Sequence, residues 1–172
     1  MRVVAGSARG RPLQAPPGRA TRPTADRVRE AVFNALGSLD AVEAARVVDL
    51  FAGSGALGIE ALSRGAASCT FVERDAAARR VLAANLARTG LTDRATVVGE
   101  DVGRFVARPH GPFDLALVDP PYAFDGWSEL LAALDADLVV AESDRPLDPG
   151  PGWTLVRSKR YGGTVVTFVR RL

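Results

Sequence analysis

The chain has 172 residues, of which 47% are hydrophobic and 24% are charged, and its formal net charge is +2. This length allows one domain with a genuine core, and this composition excludes a disordered chain and a membrane protein. We therefore expect a single domain over residues 1–172, with a basic hairpin extension at 1–20 and a catalytic core at 21–172.

The first 36 residues predict a small hairpin followed by a helix. The predicted strands are residues 2–5 and 11–14, joined by a glycine-containing turn. Pro16-Pro17-Gly18 ends the hairpin, and an apolar face at helical spacing follows it. The members of that face are Val28, Val32, Phe33 and Leu36. Thr24 is the predicted N-cap of this helix.

From Arg46 onward, apolar strands alternate with helices, which is typical of a parallel sheet with helices on both faces. The predicted strands are 47–51, 70–73, 96–98, 115–119 and 138–142. The predicted helices are 57–64, 76–89 and 127–134, the first two ending at Gly65 and Gly90. Two further strands, 153–159 and 164–170, predict a closing hairpin that turns at 161–163. The predicted fold class is α/β: a mostly parallel twisted sheet with an antiparallel last strand.

A glycine loop follows the first predicted strand of that sheet. The segment Asp49-Leu50-Phe51-Ala52-Gly53-Ser54-Gly55-Ala56-Leu57-Gly58 contains G-x-G-x-x-G, where backbone N–H groups and a helix N-terminus approach a nucleotide-type ligand. Glu73 stands 20 residues after Gly53, at the end of the next strand, where a carboxylate accepts hydrogen bonds from ribose hydroxyls. The residues predicted to bind the cofactor are Asp49, Phe51, Ala52, Gly53, Ser54, Gly55, Glu73, Arg74, Asp101 and Val102.

Two cofactors fit such a loop, a nicotinamide dinucleotide and S-adenosylmethionine. Carboxylates repel a pyrophosphate, whereas S-adenosylmethionine carries an ammonium and a sulfonium. Asp49 is placed to bind that ammonium directly or through water, and Asp101 to accept from the adenine amino group. Together with Glu73 these acids favour S-adenosylmethionine, although each has an alternative role at a strand end or helix cap.

The tetrad Asp119-Pro120-Pro121-Tyr122 lies where a central strand ends, and we predict that its four residues are catalytic. Two prolines supply no N–H donor, so the turn presents two acceptors, the Asp119 carboxylate and the Pro120 carbonyl. These acceptors can hold both N–H groups of an exocyclic amino group and direct its lone pair toward a methyl donor. Tyr122 offers a stacking face for a base, with Phe124 or Trp127 on the other side. The alternative is a plain strand-ending turn.

Charge is distributed unevenly. Residues 1–30 and residues 149–172 each carry a net charge of +5, which leaves −8 for the middle of the chain. Two basic ends indicate a polyanionic partner such as nucleic acid, although a general preference for arginine also contributes, since 21 of the 22 basic residues are Arg. The residues predicted to bind RNA are Arg2, Arg9, Arg11, Arg22, Lys159 and Arg160.

Cellular context is predicted by what the sequence lacks. No apolar run reaches the roughly 18 residues of a membrane helix, and the first residues have no signal-peptide pattern. The single cysteine, Cys69, has no disulfide partner, which suits a reducing compartment. We expect a cytoplasmic monomer with neither a membrane nor a metal partner.

Nearly the whole chain resembles the bacterial guanine-N2 methyltransferases of small-subunit ribosomal RNA, the RsmD family. The segments that carry the resemblance are Arg22-Pro23-Thr24, 26–31, Phe33-Asn34, 49–55, 58–61, 119–122 and 161–164. It implies a Rossmann-like class I methyltransferase fold, S-adenosylmethionine as cofactor, and methyl transfer to N2 of a guanine in ribosomal RNA or a small-subunit particle. It also implies that Thr24 and Arg27 lie near the methionine carboxylate or the target base. The segment 127–138 is shorter than the corresponding segment of the family, and this difference affects the wall of the base pocket.

Other functions use parts of the same pattern. An adenine-N6 methyltransferase acting on DNA or RNA would share the tetrad, but 172 residues leave no room for a separate DNA-recognition domain. A protein-glutamine methyltransferase usually begins the tetrad with Asn. A nicotinamide oxidoreductase leaves the double proline unexplained, and a non-catalytic RNA-binding module would be expected to lack Asp49 or Asp119.

Overall fold

The computed structural model describes residues 1–18 and 23–172. Its elements in chain order are α1 (Pro23–Ser38), β1 (Arg46–Leu50), α2 (Ala56–Ser63), β2 (Ser68–Val72), α3 (Ala76–Thr89), a 3-10 helix (Thr92–Arg94), β3 (Ala95–Val98), α4 (Val102–Val106), β4 (Phe113–Val118), α5 (Trp127–Ala133), β5 (Ala136–Ser143), β6 (Trp153–Tyr161) and β7 (Thr164–Arg171). None of the helices in the described ranges combines the length and the apolar character needed to span a bilayer.

The strands form one sheet in the order β3-β2-β1-β4-β5-β7-β6. The pairs among β1 to β5 are parallel, whereas β7 runs antiparallel to both β5 and β6. The predicted fold class is therefore confirmed, including its antiparallel end. The strand order reverses between β1 and β4, and open α/β sheets bind ligands at the carboxyl ends of strands beside such a point.

Helices cover both faces of the sheet because buried residues alternate along the central strands. Val47 of β1 packs in one apolar cluster with α1, α2 and α3, and Val48 packs in the other with α4 and α5. Asp49 lies on the same face of the sheet as Val47, and it is 1% exposed. A buried carboxylate is costly unless it is hydrogen-bonded, so its presence in a core strand marks the end of β1 as unusual.

The N-terminal arm, which we define as residues 1–18, forms a short hairpin as predicted, but its pairing is too brief to make the regular strands predicted at 2–5 and 11–14. An antiparallel bridge joins Arg2 and Pro12, and the N–H groups of Val3 and Leu13 donate to Arg11 O at 3.0 Å and to Met1 O at 2.8 Å. Val4 and Ala5 instead donate their N–H groups to the buried carboxylate of Glu60 on α2, at 2.9 and 3.0 Å. Because α2 accepts these donors, the arm packs along the domain rather than extending its own ladder.

Gly6 makes the closest approach of the arm to α2. Its φ is +85°, and a Cβ atom there would lie 1.8 Å from the backbone oxygen of Ser63. The neighbouring N–H of Ser7 donates to that same oxygen at 2.8 Å, and the Ser63 hydroxyl accepts from Ala8 N–H at 3.0 Å. Only glycine fits here, for both steric and conformational reasons.

Several element boundaries differ from the predictions. Helix α1 begins at Pro23, so the assignment of Thr24 as N-cap was wrong; proline suits a first helical position because its φ is already helical and no N–H is needed there. The side chain of Thr24 and all of Arg22 lie outside the described residues. Helix α4 and the 3-10 helix were not predicted, since elements of five and three residues are too short for an apolar period. Tyr161 belongs to β6, so the closing turn is Gly162-Gly163.

Candidate active site

The loop between β1 and α2 is held in a tight conformation that glycine permits. Gly53 and Gly55 have φ values of +56° and +80°, and the N–H of Gly55 donates to Ala52 O at 2.8 Å. A Cβ atom on Gly55 would lie 2.1 Å from Cδ1 of Leu82 on α3. The backbone therefore turns directly from the strand into α2, as the glycine pattern predicts.

Asp49 lies beneath this loop. Its Oδ2 accepts from the N–H of Gly58, in the first turn of α2, at 2.9 Å. Burial raises the pKa of Asp49 well above its ordinary value, and the nearby charges of Asp119 and Glu73 raise it further. Asp49 thus fixes the start of α2 from within the core, and its predicted contact with a cofactor ammonium stays a prediction.

Glu73 follows β2 and joins the loop to the start of α3. Its Oε2 accepts from Gly53 N–H and its Oε1 accepts from Asp75 N–H, both at 2.8 Å. Each carboxylate oxygen has a second lone pair, so both remain able to accept from a ligand hydroxyl. Glu73 also lines the cavity described next, where the sequence predicts it.

A cavity of about 710 Å³ opens where the central strands end, a volume typical of cofactor sites. Acidic side chains surround it: Glu73, Asp75, Glu100, Asp101, Asp119 and Glu129. Among the described residues that line it, Arg74 carries the single positive charge, and its Nη1 lies 3.7 Å from Oδ2 of Asp101. The cavity is therefore suited to a ligand with positive charge and disfavours a diphosphate.

Asp101 has two roles in this wall. It is the N-cap of α4, where its Oδ1 accepts from Gly103 N–H at 2.8 Å, so the alternative of a helix cap is correct. It lines the cavity as well, beside the apolar side chains of Val102 and Val106. A carboxylate next to an apolar surface matches the edge and face of an aromatic base.

The tetrad follows β4 directly and extends from the cavity to the surface. Asp119 and Pro121 line the cavity, Pro120 is buried, and the Pro121 carbonyl accepts from the N–H of Phe124 at 2.9 Å. Tyr122 is 61% exposed at the outer end of this turn. The exposed ring of Tyr122 offers a stacking face to an incoming base next to Asp119 and the prolines of the tetrad.

Phe124 connects the cavity to a second, smaller one beside the tetrad. Its ring packs edge-on against Phe51, at 5.2 Å between centroids, and against Trp127, at 5.3 Å. The small cavity is lined by Pro120, Pro121, Tyr122, Phe124, Trp127, Glu142, Ser143 and Asp144. The structure thus brings together the predicted aromatic residues and adds Glu142, which the sequence did not indicate.

The arm supplies a further part of the site that the sequence did not indicate. Pro16 and Pro17 line the large cavity. Asn85 of α3 is 0% exposed; its Oδ1 accepts from Gln14 N–H, and its Nδ2 donates to Gln14 O and Ser54 O, all at 2.9 Å. One side chain therefore joins the arm to the glycine loop. The sequence signal for this contact is Asn85 itself, a polar residue among the apolar positions of α3.

The predicted RNA-binding residues fall into two groups. Arg2 donates to Gly10 O and Arg11 to Arg88 O, each at 2.8 Å, and Arg9 lies nearby in the exposed turn of the arm. Arg88 is in the last turn of α3, about 20 Å from the turn that lines the cavity. Lys159 and Arg160 form the second group on β6, with Arg160 donating to Asp144 O at 3.5 Å. Arg27, which the family resemblance places near the cofactor or the target base, is exposed on α1.

The sheet order, the glycine loop and the tetrad beside one acidic cavity define a methyltransferase. The chain belongs to the family described as conserved hypothetical protein 95, whose model matches residues 1–170. It is 37% identical over 182 residues to ribosomal RNA small subunit methyltransferase D of Escherichia coli, covering 99% of this chain and 90% of that one. The protein of the same name from Haemophilus influenzae is 34% identical, covering 94% and 89%. The solved Escherichia coli structure of yhhF is 38% identical with a TM-score of 0.87, covering 99% and 97%.

Proposed function

We propose that this protein transfers a methyl group from S-adenosylmethionine to the exocyclic N2 amino group of a guanine in small-subunit ribosomal RNA. The observation that carries the proposal is the position of the tetrad: Asp119 lines the acidic cavity, and Pro120 and the exposed Tyr122 line the smaller cavity beside it. The names of the Escherichia coli and Haemophilus influenzae relatives support the small-subunit RNA. The choice of guanine N2 rests on the resemblance given by the Arg22-Pro23-Thr24 segment.

The residues around the cavity fit S-adenosylmethionine. Glu73 offers carboxylate oxygens to ribose hydroxyls, and Asp101 with Val102 offers an acceptor and an apolar surface to the adenine. The acidic lining stabilises a cation, whereas the pyrophosphate of a dinucleotide would meet six carboxylates. Among the described residues, no group of three or more His, Cys, Asp or Glu side chains is arranged to hold a metal ion.

The chain's own part in the reaction is orientation and proton acceptance. When bound, the cofactor supplies a methyl group on a cationic sulfur; the N2–carbon bond forms as the carbon–sulfur bond breaks, and its electron pair remains on sulfur. Asp119 and the Pro120 carbonyl accept from the two N–H groups, which localises the nitrogen lone pair toward the methyl group. Asp119 also stabilises the positive charge that develops on nitrogen and accepts the proton that leaves it.

Binding measurements test the cofactor and the substrate separately. Calorimetry is expected to detect binding of S-adenosylmethionine and no binding of NAD. Binding of NAD without binding of S-adenosylmethionine would contradict the methyltransferase proposal. Labelled methyl groups are expected on RNA of the small subunit and not on that of the large subunit. Labelled protein without labelled RNA would reject the proposed substrate.

We expect the end of the β6–β7 hairpin to contact RNA. Lys159 and Arg160 are the predicted RNA-binding residues that lie at the same edge of the sheet as the tetrad. Replacing both by alanine is expected to weaken RNA binding roughly 10-fold and to reduce the slope of log Kd against log salt by about 2. The matched control is Arg9→Ala with Arg11→Ala, on the remote part of the arm. An equal loss in the control would mean that the RNA contact is not specific to the hairpin.

Asn85→Ala is expected to weaken S-adenosylmethionine binding about 10-fold. The change leaves the Gln14 and Ser54 backbone groups without their buried partner, so both the Pro16-Pro17 wall and the glycine loop lose a restraint. Calorimetry measures the affinity, and Arg80→Ala, an exposed change on the same helix, is the control. Wild-type affinity in Asn85→Ala would show that the arm and the cofactor site are independent.

A further inference from the structure

Three neighbouring strands each carry a carboxylate on the same face of the sheet. The parallel register pairs Asp49 of β1 with Leu117 of β4, and Leu117 with Val140 of β5. Asp119 and Glu142 lie two residues beyond Leu117 and Val140, so both return to the face of Asp49. Continuing the register by one pair beyond Val118 and Ala141 brings Asp119 and Glu142 side by side.

The surroundings of Glu142 keep its carboxyl group largely neutral. Burial raises its pKa from 4.5 to about 8, and the charges of Asp119 and Asp49 add to this, against a smaller opposing effect of Arg29 on α1. A neutral carboxyl group has one O–H donor and one carbonyl acceptor. Glu142 therefore presents a donor and an acceptor beside Asp119, which the transfer reaction itself does not use.

The same side chain lines the small cavity together with Tyr122, Phe124 and Trp127. A base stacked on Tyr122 with its amino group at Asp119 has one ring atom next to that amino group on the Watson–Crick edge. In guanine this ring atom is N1, which carries a hydrogen, and the group after it is the O6 acceptor. In adenine the ring atom is N1 without a hydrogen, and the group after it is C2–H. Glu142 lines this cavity and is the neighbour of Asp119 in the continued strand register.

We infer that Glu142 hydrogen-bonds to N1–H and O6 of the target guanine, and that it is the residue that selects guanine over adenine. This inference rests on the proposed function. Guanine satisfies both the acceptor and the donor of the carboxyl group, whereas adenine satisfies only the donor and leaves the carbonyl oxygen of Glu142 unpaired. A site built to hydrogen-bond a substrate group discriminates strongly against an analogue that lacks it.

The test compares Glu142→Leu with Glu142→Gln in transfer to small-subunit RNA. Leucine removes both hydrogen-bonding groups, so kcat/KM for guanine is expected to fall about 100-fold while the Kd for S-adenosylmethionine changes less than a few fold. Glutamine keeps a carbonyl acceptor and an N–H donor in the same places, so it is expected to retain activity within about 5-fold of the wild type. Asp137→Leu, an exposed acid at the other end of β5, is the control for the substitution itself.

Each outcome separates this inference from the proposed function. Wild-type turnover in Glu142→Leu, with N2-methylguanosine as the product, would overturn the role of Glu142 alone. Equal losses of activity and cofactor affinity in both Glu142 variants would assign Glu142 to structure, and would overturn it too. N6-methyladenosine as the wild-type product would overturn the proposed function and the inference together.

Discussion

Asp119→Ala is expected to lower kcat at least about 1,000-fold, equivalent to about 4 kcal/mol of lost transition-state stabilisation. The variant leaves the Pro120 carbonyl as the one remaining acceptor of the tetrad, so the amino group is no longer held by both N–H groups. It also removes the charge that stabilises the developing ammonium. The cofactor affinity is expected to stay within a few fold, because Glu73 and Asp49 accept from the N–H groups of Gly53 and Gly58 and keep the loop in place.

Two further variants define the control for Asp119. Asp119→Asn keeps one carbonyl acceptor but not the charge, so its rate is expected to lie between those of alanine and the wild type. Asp125→Ala removes an exposed acid from the segment after the tetrad and is expected to leave kcat near the wild-type value. Single-turnover transfer to RNA with calorimetry of cofactor binding measures both effects. Unchanged turnover in Asp119→Ala would mean that the tetrad is a strand-ending turn without a catalytic role.

Glu73→Ala is expected to raise the Kd for S-adenosylmethionine about 100-fold. The carboxylate accepts from Gly53 and Asp75 and has lone pairs left for the ribose hydroxyls, so its loss removes the ligand contact and loosens the loop together. Loss of two charge-assisted hydrogen bonds at roughly 1.5 kcal/mol each corresponds to this factor. At saturating cofactor, kcat is expected to recover most of its wild-type value.

Glu100→Ala is the matched control for Glu73, since Glu100 lines the same cavity and forms an ion pair with Arg108. Both variants remove one negative charge from the wall, but only the Glu73 variant removes acceptors from the loop. The Glu100 variant is expected to change the Kd only a few fold. Equal effects would mean that the overall negative potential, rather than hydrogen bonding by Glu73, determines the affinity.

Local signals in the sequence were sufficient for the core of the site. The glycine loop, Glu73 and the tetrad each follow an apolar strand, and the carboxyl ends of parallel strands meet at one edge of a sheet. Their assembly around one cavity therefore followed from the strand pattern. Helix α3 was predicted with its observed bounds because Gly90 marks its end, and the structure shows that Asp75 caps its start.

The parts that were missed depend on contacts between distant segments. The arm binds Glu60 and Asn85, which are 55 to 71 residues away along the chain, and no local pattern indicates such partners. Glu142 lies beside Asp119 because β5 pairs with β4, a fact of sheet order rather than of spacing. The summed charge of each end likewise gives no position in the fold, and the structure places Arg11 and Arg160 beside different elements.

The most direct test of the central claim is the identity of the methylated nucleoside. Small-subunit particles and their free RNA, both from cells that lack this enzyme, are incubated with the protein and methyl-labelled S-adenosylmethionine, and the RNA is digested to nucleosides. We predict that the label is found in N2-methylguanosine and that Asp119→Ala yields none. Label in N6-methyladenosine, or label confined to ribosomal protein, would contradict the account.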